Sequence, residues 1–197
     1  MSASAPAVPA GSLVAIGAST GGTQAIEEVL LAMPAQCPPI VIAQHIPAGF
    51  SASFAARLHS ICKMEVKEAC DGDLVAPGRA LVAPGNFHMM VARRDGVCRA
   101  VVRDGPRVHY QRPAVDVLFQ SVVEAKLPHT VGVLLTGMGS DGAQGLLKLR
   151  ESGARTIAQD EASSVVYGMP KAAVELGAAQ QVLPLGKVCD AILAALK

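Results

Sequence analysis

The sequence predicts an α/β fold: a mainly parallel, doubly wound sheet carrying an antiparallel hairpin at one edge. Three observations lead there. Short apolar runs alternate with segments of helical period in both the first and the last thirds of the chain, as parallel strands joined by helical crossovers do. The middle third instead holds extended stretches separated by turn-forming dipeptides. The composition is 51% hydrophobic but only 3% aromatic, with 19 glycines among 197 residues, which suits helices packed closely on a sheet.

Leu13 to Ile16 is a short buried-strand run. After it, Ala25, Ile26, Val29, Leu30 and Met33 recur at helical spacing across Gly21 to Met33, and Pro34 ends the helix. Ile40 to Ala43 is the second strand, and Phe50 to Ile61 the second helix. Met64 to Glu68, Ala80 to Ala83, His88 to Ala92 and Val97 to Val102 are extended stretches. Asp71-Gly72, Pro77-Gly78, Pro84-Gly85 and Asp95-Gly96 punctuate them, so hairpins are expected throughout this region. Alternation returns with a helix over Ala114 to Lys126, a strand over Val131 to Leu135, a helix over Gly142 to Ser152 and a strand over Arg155 to Ala158. Pro170 opens a further helix, Val182-Leu183 is a short last strand, and Lys187 to Leu196 closes the chain as a helix.

A chain of this length is read as one domain, with residues 1–11 a flexible tail or linker remnant and 12–197 the folded unit. The tail is almost all Ala, Pro, Ser and Val and lacks the basic start and apolar stretch of a signal peptide. A net charge of +1 and the scarcity of aromatics speak against nucleic acid as a partner. No apolar run is long enough to insert in a membrane, so the expected location is the cytoplasm. Cys37, Cys62, Cys70, Cys98 and Cys189 are widely spaced with no CxxC pair. They read as small buried hydrophobes, without a disulfide framework or a metal site. No cofactor is implied.

In open α/β sheets ligands bind beyond the carboxyl ends of the strands. Filtering polar residues by that rule leaves Ser19, His45, Asp141 and the pair Asp160 and Glu161. An alcohol, an imidazole and a carboxylate are the set that acyl transfer needs. Ser19 sits in Gly17-x-Ser19-x-Gly21, a nucleophile-elbow pattern, and the helix start after it offers free N–H groups to an oxyanion. The bland alternative is that Ser19 caps that helix. A dinucleotide loop fails because Ser19 stands at the middle glycine position, and a phosphate-binding Walker loop fails because Thr23 and Gln24 replace its Lys-Ser/Thr pair. His59 lies in a helix, His109 and His129 in polar segments, and His88 starts a hairpin strand from which it can approach the site; only His45 directly follows a buried parallel strand. Asp141 has its own bland alternative as a helix cap, and on position alone Asp160 competes with it. The order Ser, His, Asp disfavours the α/β-hydrolase fold.

Six segments carry a resemblance. Ile16 to Gly22 (IGASTGG), Gln44 to Phe50 (QHIPAGF) and Leu135 to Gly142 (LTGMGSDG) resemble the signature segments of the chemotaxis protein-glutamate methylesterases, the CheB family. Ala83 to Met89, Arg112 to Phe119 and Ala158 to Pro170 are similar to further segments of that family, so the likeness covers the chain from about Leu13 onward. It implies a triad of Ser19, His45 and Asp141, deciding against Asp160, with the backbone N–H groups of Thr20 and Met138 as oxyanion donors. The implied substrate is the γ-glutamyl methyl ester on the helices of the cytoplasmic domain of methyl-accepting chemoreceptors, hydrolysed to glutamate and methanol. A receptor glutamine deamidase with the same triad, or a catalytically idle receptor-binding module, are the alternatives. The family usually carries an N-terminal receiver domain. Nothing before Leu13 is long enough to form one, so the expectation is a stand-alone esterase or an excised catalytic domain, with a separate receiver domain or protein as regulator.

Overall fold

The computed structural model describes residues 8–197. Seven strands form one parallel sheet: β1 (Ser12–Ala18), β2 (Ile40–Gln44), β3 (Glu65–Glu68), β4 (Arg79–Val82), β7 (His129–Leu134), β8 (Arg155–Gln159) and β9 (Gln181–Leu183), in the order β3-β4-β2-β1-β7-β8-β9. The chain works outward from β1 to one edge, crosses back, and continues outward from β7 to the other edge. The strand order therefore reverses between β1 and β7, which makes that crevice the expected ligand position.

Alternation along the central strands sends neighbouring residues to two cores. Val14, Ile16 and Ala18 pack with the apolar stripes of α1 (Gly22–Ala32), α2 (Phe50–Ile61) and α6 (Leu185–Ala195). Leu13 and Ala15 pack on the other face with α3 (Val115–Ala125), α4 (Ala143–Glu151) and α5 (Met169–Glu175). The expected doubly wound architecture is thus present, as three layers.

The hairpin region differs from expectation in detail. Among the described strands only β5 (His88–Arg94) and β6 (Val97–Arg103) form an antiparallel pair, turning at Asp95-Gly96 with both residues at positive φ. They make a two-stranded sheet of their own, whose Met89, Val91 and Ala100 cover Val41, Leu81 and Ala83 where a helix would otherwise lie. The stretches expected as further hairpins, β3 and β4, instead run parallel to each other and to β2. The reason lies in the loop between them. Residues 72–75 do not fold back on β3 but pair with β6, through Gly72 N–H to Ala100 O (2.8 Å), Ala100 N–H to Asp73 O (2.8 Å) and Val75 N–H to Cys98 O (3.0 Å). The turns are where the dipeptides place them; their partner strand is a distant one.

The reading of the cysteines needs one correction. Cys37 and Cys189 are buried and their thiols are pushed up to about 11 by burial; Cys62 and Cys98 are half-buried, but Cys70 is exposed. Of the expected tail over residues 1–11, residues 1–7 lie outside the described residues. Of the described part, Val8 and Pro9 are half-buried and line an apolar cavity of about 330 Å³ with Leu193 and Leu196 of the C-terminal region, while Ala10 and Gly11 are exposed. No helix among the described residues is long and apolar enough to cross a membrane.

Candidate active site

Three loops leave the carboxyl ends of adjacent strands β2, β1 and β7. Ala18 pairs with Gln44 in the β1–β2 register, so Ser19 and His45 are the next residue on each of two neighbouring strands. His45 N–H donates to Ala18 O (3.1 Å), and Ser19 N–H donates across to Thr136 O (2.9 Å) on the β7 side. Neighbouring strands lie about 4.8 Å apart, so this register alone brings Ser19, His45 and the glycine-rich loop together. The helix-cap alternative for Ser19 does not hold. The N-cap of α1 is Gly21, at φ 78°, with no side-chain cap bond. The main chain of Ser19 is bound on both sides, and its Oγ enters none of those bonds.

Gly137 sets the close approach. A Cβ built there would stand 2.7 Å from Ser19 Cβ and 2.4 Å from Met169 Sδ, so only glycine lets the loop after β7 lie against the Ser19 turn.

His45 Nε2 lies 2.7 Å from Asp141 Oδ2, with both side chains almost fully buried. Asp141 is not the cap of its own helix, since Gly142 holds that position on α4. Its carboxylate instead receives the Val115 N–H (2.7 Å) and the Asp116 N–H (2.9 Å), the open end of α3. An anion belongs there, because unpaired amides and the helix dipole both point at it. These two bonds fix the carboxylate, and the carboxylate fixes the ring. With Nε2–H donating to Asp141, His45 Nδ1 is left as the basic lone pair; it is buried and has no partner among the described residues. This reverses the serine-protease arrangement, in which the carboxylate holds Nδ1 and Nε2 takes the proton.

The other sequence candidates are engaged elsewhere. Asp160 Oδ1 accepts from the Ser163 N–H (3.0 Å) and hydroxyl (2.6 Å), closing a local turn, and Glu161 beside it is exposed. His88 uses both ring nitrogens on the backbone, Nδ1 accepting from Ala114 N–H (3.3 Å) and Nε2–H donating to Pro106 O (2.8 Å), which supports the loop into α3. His59 Nδ1 accepts from the Val66 N–H (3.2 Å), and His129 opens β7 at its amino end, away from the site.

Two buried glutamines were not singled out by sequence. Gln44, the last residue of β2, donates from Nε2 to Ser19 O (2.8 Å) and His45 O (3.0 Å), tying the Ser19 and His45 loops together. Gln159, the last residue of β8, accepts the Thr136 N–H at Oε1 (2.8 Å) and donates to Ser163 O (2.8 Å). The signal was available: a long amide closing an otherwise apolar buried strand has to find partners in the outgoing loops.

The chain has known relatives. A family profile described as CheB methylesterase matches residues 14–192. The chain belongs to the CheB methylesterase family. It is 57% identical over 190 residues to the protein-glutamate methylesterase/protein-glutamine glutaminase 1 of Anaeromyxobacter dehalogenans, covering 96% of this chain and 54% of that one. It is 53% identical over 185 residues to the corresponding enzyme 2 of Xanthomonas campestris, covering 94% and 53%. The chain spans about half the length of the curated relatives it matches. The crystal structure of the Thermotoga maritima CheB methylesterase catalytic domain superposes with a TM-score of 0.89 at 38% identity, over 92% of this chain and 97% of that one.

Around the site of this CheB-family chain, His109, Asp116 and Asp141 bring potential metal-ligand atoms within 4.8 Å of one another. Hydrogen bonds account for the cluster. Asp116 Oδ2 lies 2.7 Å from His109 Nε2 and its Oδ1 receives the Gly145 N–H (2.7 Å), so Asp116 braces the start of α4 as Asp141 braces α3. The rim is apolar on the glycine-loop side, where Met138 and Val165 are 73% and 71% exposed.

Proposed function

We propose that this chain is a serine esterase that hydrolyses glutamate γ-methyl esters on the cytoplasmic domain of methyl-accepting chemoreceptors, with Ser19, His45 and Asp141 as its triad and residues 12–197 as the catalytic domain. The observation that carries the reading is the 2.7 Å His45–Asp141 bond, which leaves Nδ1 open beside the strand end that bears Ser19. His45 Nδ1 takes the proton of Ser19 as Oγ attacks the ester carbonyl. The tetrahedral oxyanion is held by the Thr20 and Met138 N–H groups, neither of which donates to a backbone carbonyl among the described residues. The His45 proton then passes to methoxide, methanol leaves, and water, deprotonated by the same nitrogen, releases the γ-carboxylate and frees Ser19. Such a substrate places the protein in the cytoplasm.

The relatives' names also include protein-glutamine glutaminase, which supports amide hydrolysis by the same residues. An amide demands protonation of a poorer leaving group, so the ester is expected to react faster. The test supplies matched receptor fragments bearing glutamyl methyl ester or glutamine and measures methanol and ammonia. Methanol release well ahead of ammonia supports the esterase reading; ammonia alone overturns it in favour of a deamidase, and neither product would leave only a binding module.

A further inference from the structure

A polar cavity of about 380 Å³ opens directly beside His45. Residues 45–48 of the loop after β2 form one wall, and Asn86, Arg107, Gln111 and Arg112 form the other. The cavity has two guanidinium groups and no carboxylate in its lining. The two arginines are not equivalent. Arg112 is built in: its guanidinium is tied to Asp104 and the Gly105 carbonyl, and Nη2 donates to Asn86 Oδ1 (2.6 Å). Its Nε is nevertheless buried without a partner among the described residues. Arg107 is exposed, and its guanidinium makes a single long hydrogen bond among the described residues, from Nη1 to Tyr110 O (3.4 Å). It forms no ion pair among the described residues, as is also true of Arg93, Arg94, Arg99, Arg150 and Arg155; what sets it apart is its place in the wall of a cavity beside His45. An unpaired guanidinium in a concave wall whose lining holds no carboxylate is an arrangement suited to a planar carboxylate.

We infer that this cavity is a subsite for an acidic side chain, glutamate or aspartate, lying about one helical turn from the ester on the same substrate helix. The inference rests on the esterase reading above. Its geometry follows from the substrate: side chains three or four residues apart on a helix lie about 5–6 Å apart at Cβ, so seating an ester at Ser19 and His45 carries the neighbouring turn over this wall. The cavity borders His45 itself, so the two side chains need not come from separate segments. The subsite therefore selects esters set among acidic residues, and Arg107 is the specificity-determining contact, with Arg112, its charge matched by Asp104, shaping the wall.

The test is a double-mutant cycle on binding, which needs no turnover. Helical peptides carrying one γ-methyl glutamate, with glutamate or glutamine four residues before or after it, are titrated against Ser19→Ala and Ser19→Ala/Arg107→Gln proteins at low salt. In the Ser19→Ala background, glutamine for glutamate at one of the two positions is expected to weaken binding about three- to tenfold. With Arg107→Gln added, the same change is expected to cost less than twofold, and Arg107→Lys is expected to restore most of the difference. Raising salt to about 0.5 M should erase it. Equal losses in both backgrounds, or no loss in either, overturn the subsite. Methanol release by the unsubstituted chain from the same peptides is read separately: its absence overturns the esterase reading, while the binding cycle still decides the subsite.

Discussion

Replacing Asp141 with asparagine tests the link between helix capping and catalysis. The carboxylate receives three close donors: His45 Nε2 and Val115 N, both at 2.7 Å from Oδ2, and Asp116 N at 2.9 Å from Oδ1. An amide has one acceptor atom, so either orientation points its NH2 at a backbone N–H. The less damaging orientation keeps the oxygen toward His45 and Val115 and loses the Asp116 bond. A lost bond to a charged group costs about 1.5–3 kcal/mol, and neutralising the other two weakens each by about 1 kcal/mol. The sum, roughly 3–5 kcal/mol, lowers the melting temperature by roughly 6–20 °C for a domain of this size. The imidazole also loses the anion that holds its proton on Nε2, so kcat should fall on the order of 10³–10⁴-fold. Calorimetry and methanol release, both run well below the lowered melting point, measure the two effects on one preparation. A variant that melts and turns over like the unsubstituted protein refutes the reasoning. Lost activity with unchanged melting would show that Asp141 does not brace α3.

Three further outcomes follow from the same structure. Gly137→Ala forces a Cβ to within 2.4 Å of Met169 Sδ and 2.7 Å of Ser19 Cβ; displacing the nucleophile should cost about 10²-fold in kcat, and overpacking about 1–3 kcal/mol in denaturant unfolding. Unchanged kcat would mean that the loop position does not matter. Gln44→Met keeps the volume but removes the donor shared by Ser19 O and His45 O, so kcat should drop on the order of tenfold while KM holds; a rise in KM alone would contradict a positioning role. Burial by itself would raise the Asp73 carboxyl, but the Cys70 N–H (2.7 Å) and Lys67 Nζ (2.9 Å) outweigh it and hold it below the ordinary carboxylate range. A depressed carboxyl stabilises the fold above its unfolded value and loses that contribution as pH falls through its folded value. Asp73→Asn should therefore cost about 0.5–1 kcal/mol at pH 7 and close to nothing once the pH is below the folded value, read by denaturation at both ends. A difference that persists in acid would place the effect elsewhere.

The site was legible in the sequence where a local pattern matches a strand end. Ser19 and His45 follow β1 and β2, and their juxtaposition is a consequence of the parallel register. Asp141 was harder to read, because Asp160 also follows a strand. What separates them is the open end of α3, reached 26 residues earlier in the chain, which no local pattern around Asp141 encodes. The same non-locality hid Asp116, Gln44 and Gln159, whose partners lie on other strands and helices. In the middle of the chain the turn dipeptides were read in the right places, yet β3 and β4 are parallel because residues 72–75 pair with β6. Turn chemistry fixes where a chain bends, while burial of Leu81 and Ala83 under the hairpin decides which strand it meets next.

The central claim, that Ser19 is the nucleophile of a methylesterase, is tested most directly by methanol release from a methylated chemoreceptor fragment with the unsubstituted chain and with Ser19→Ala. The account predicts steady methanol production by the first and a loss of roughly 10⁴–10⁶-fold in the second, about 5–8 kcal/mol of barrier. A folded Ser19→Ala protein that releases methanol at a near-normal rate would contradict it.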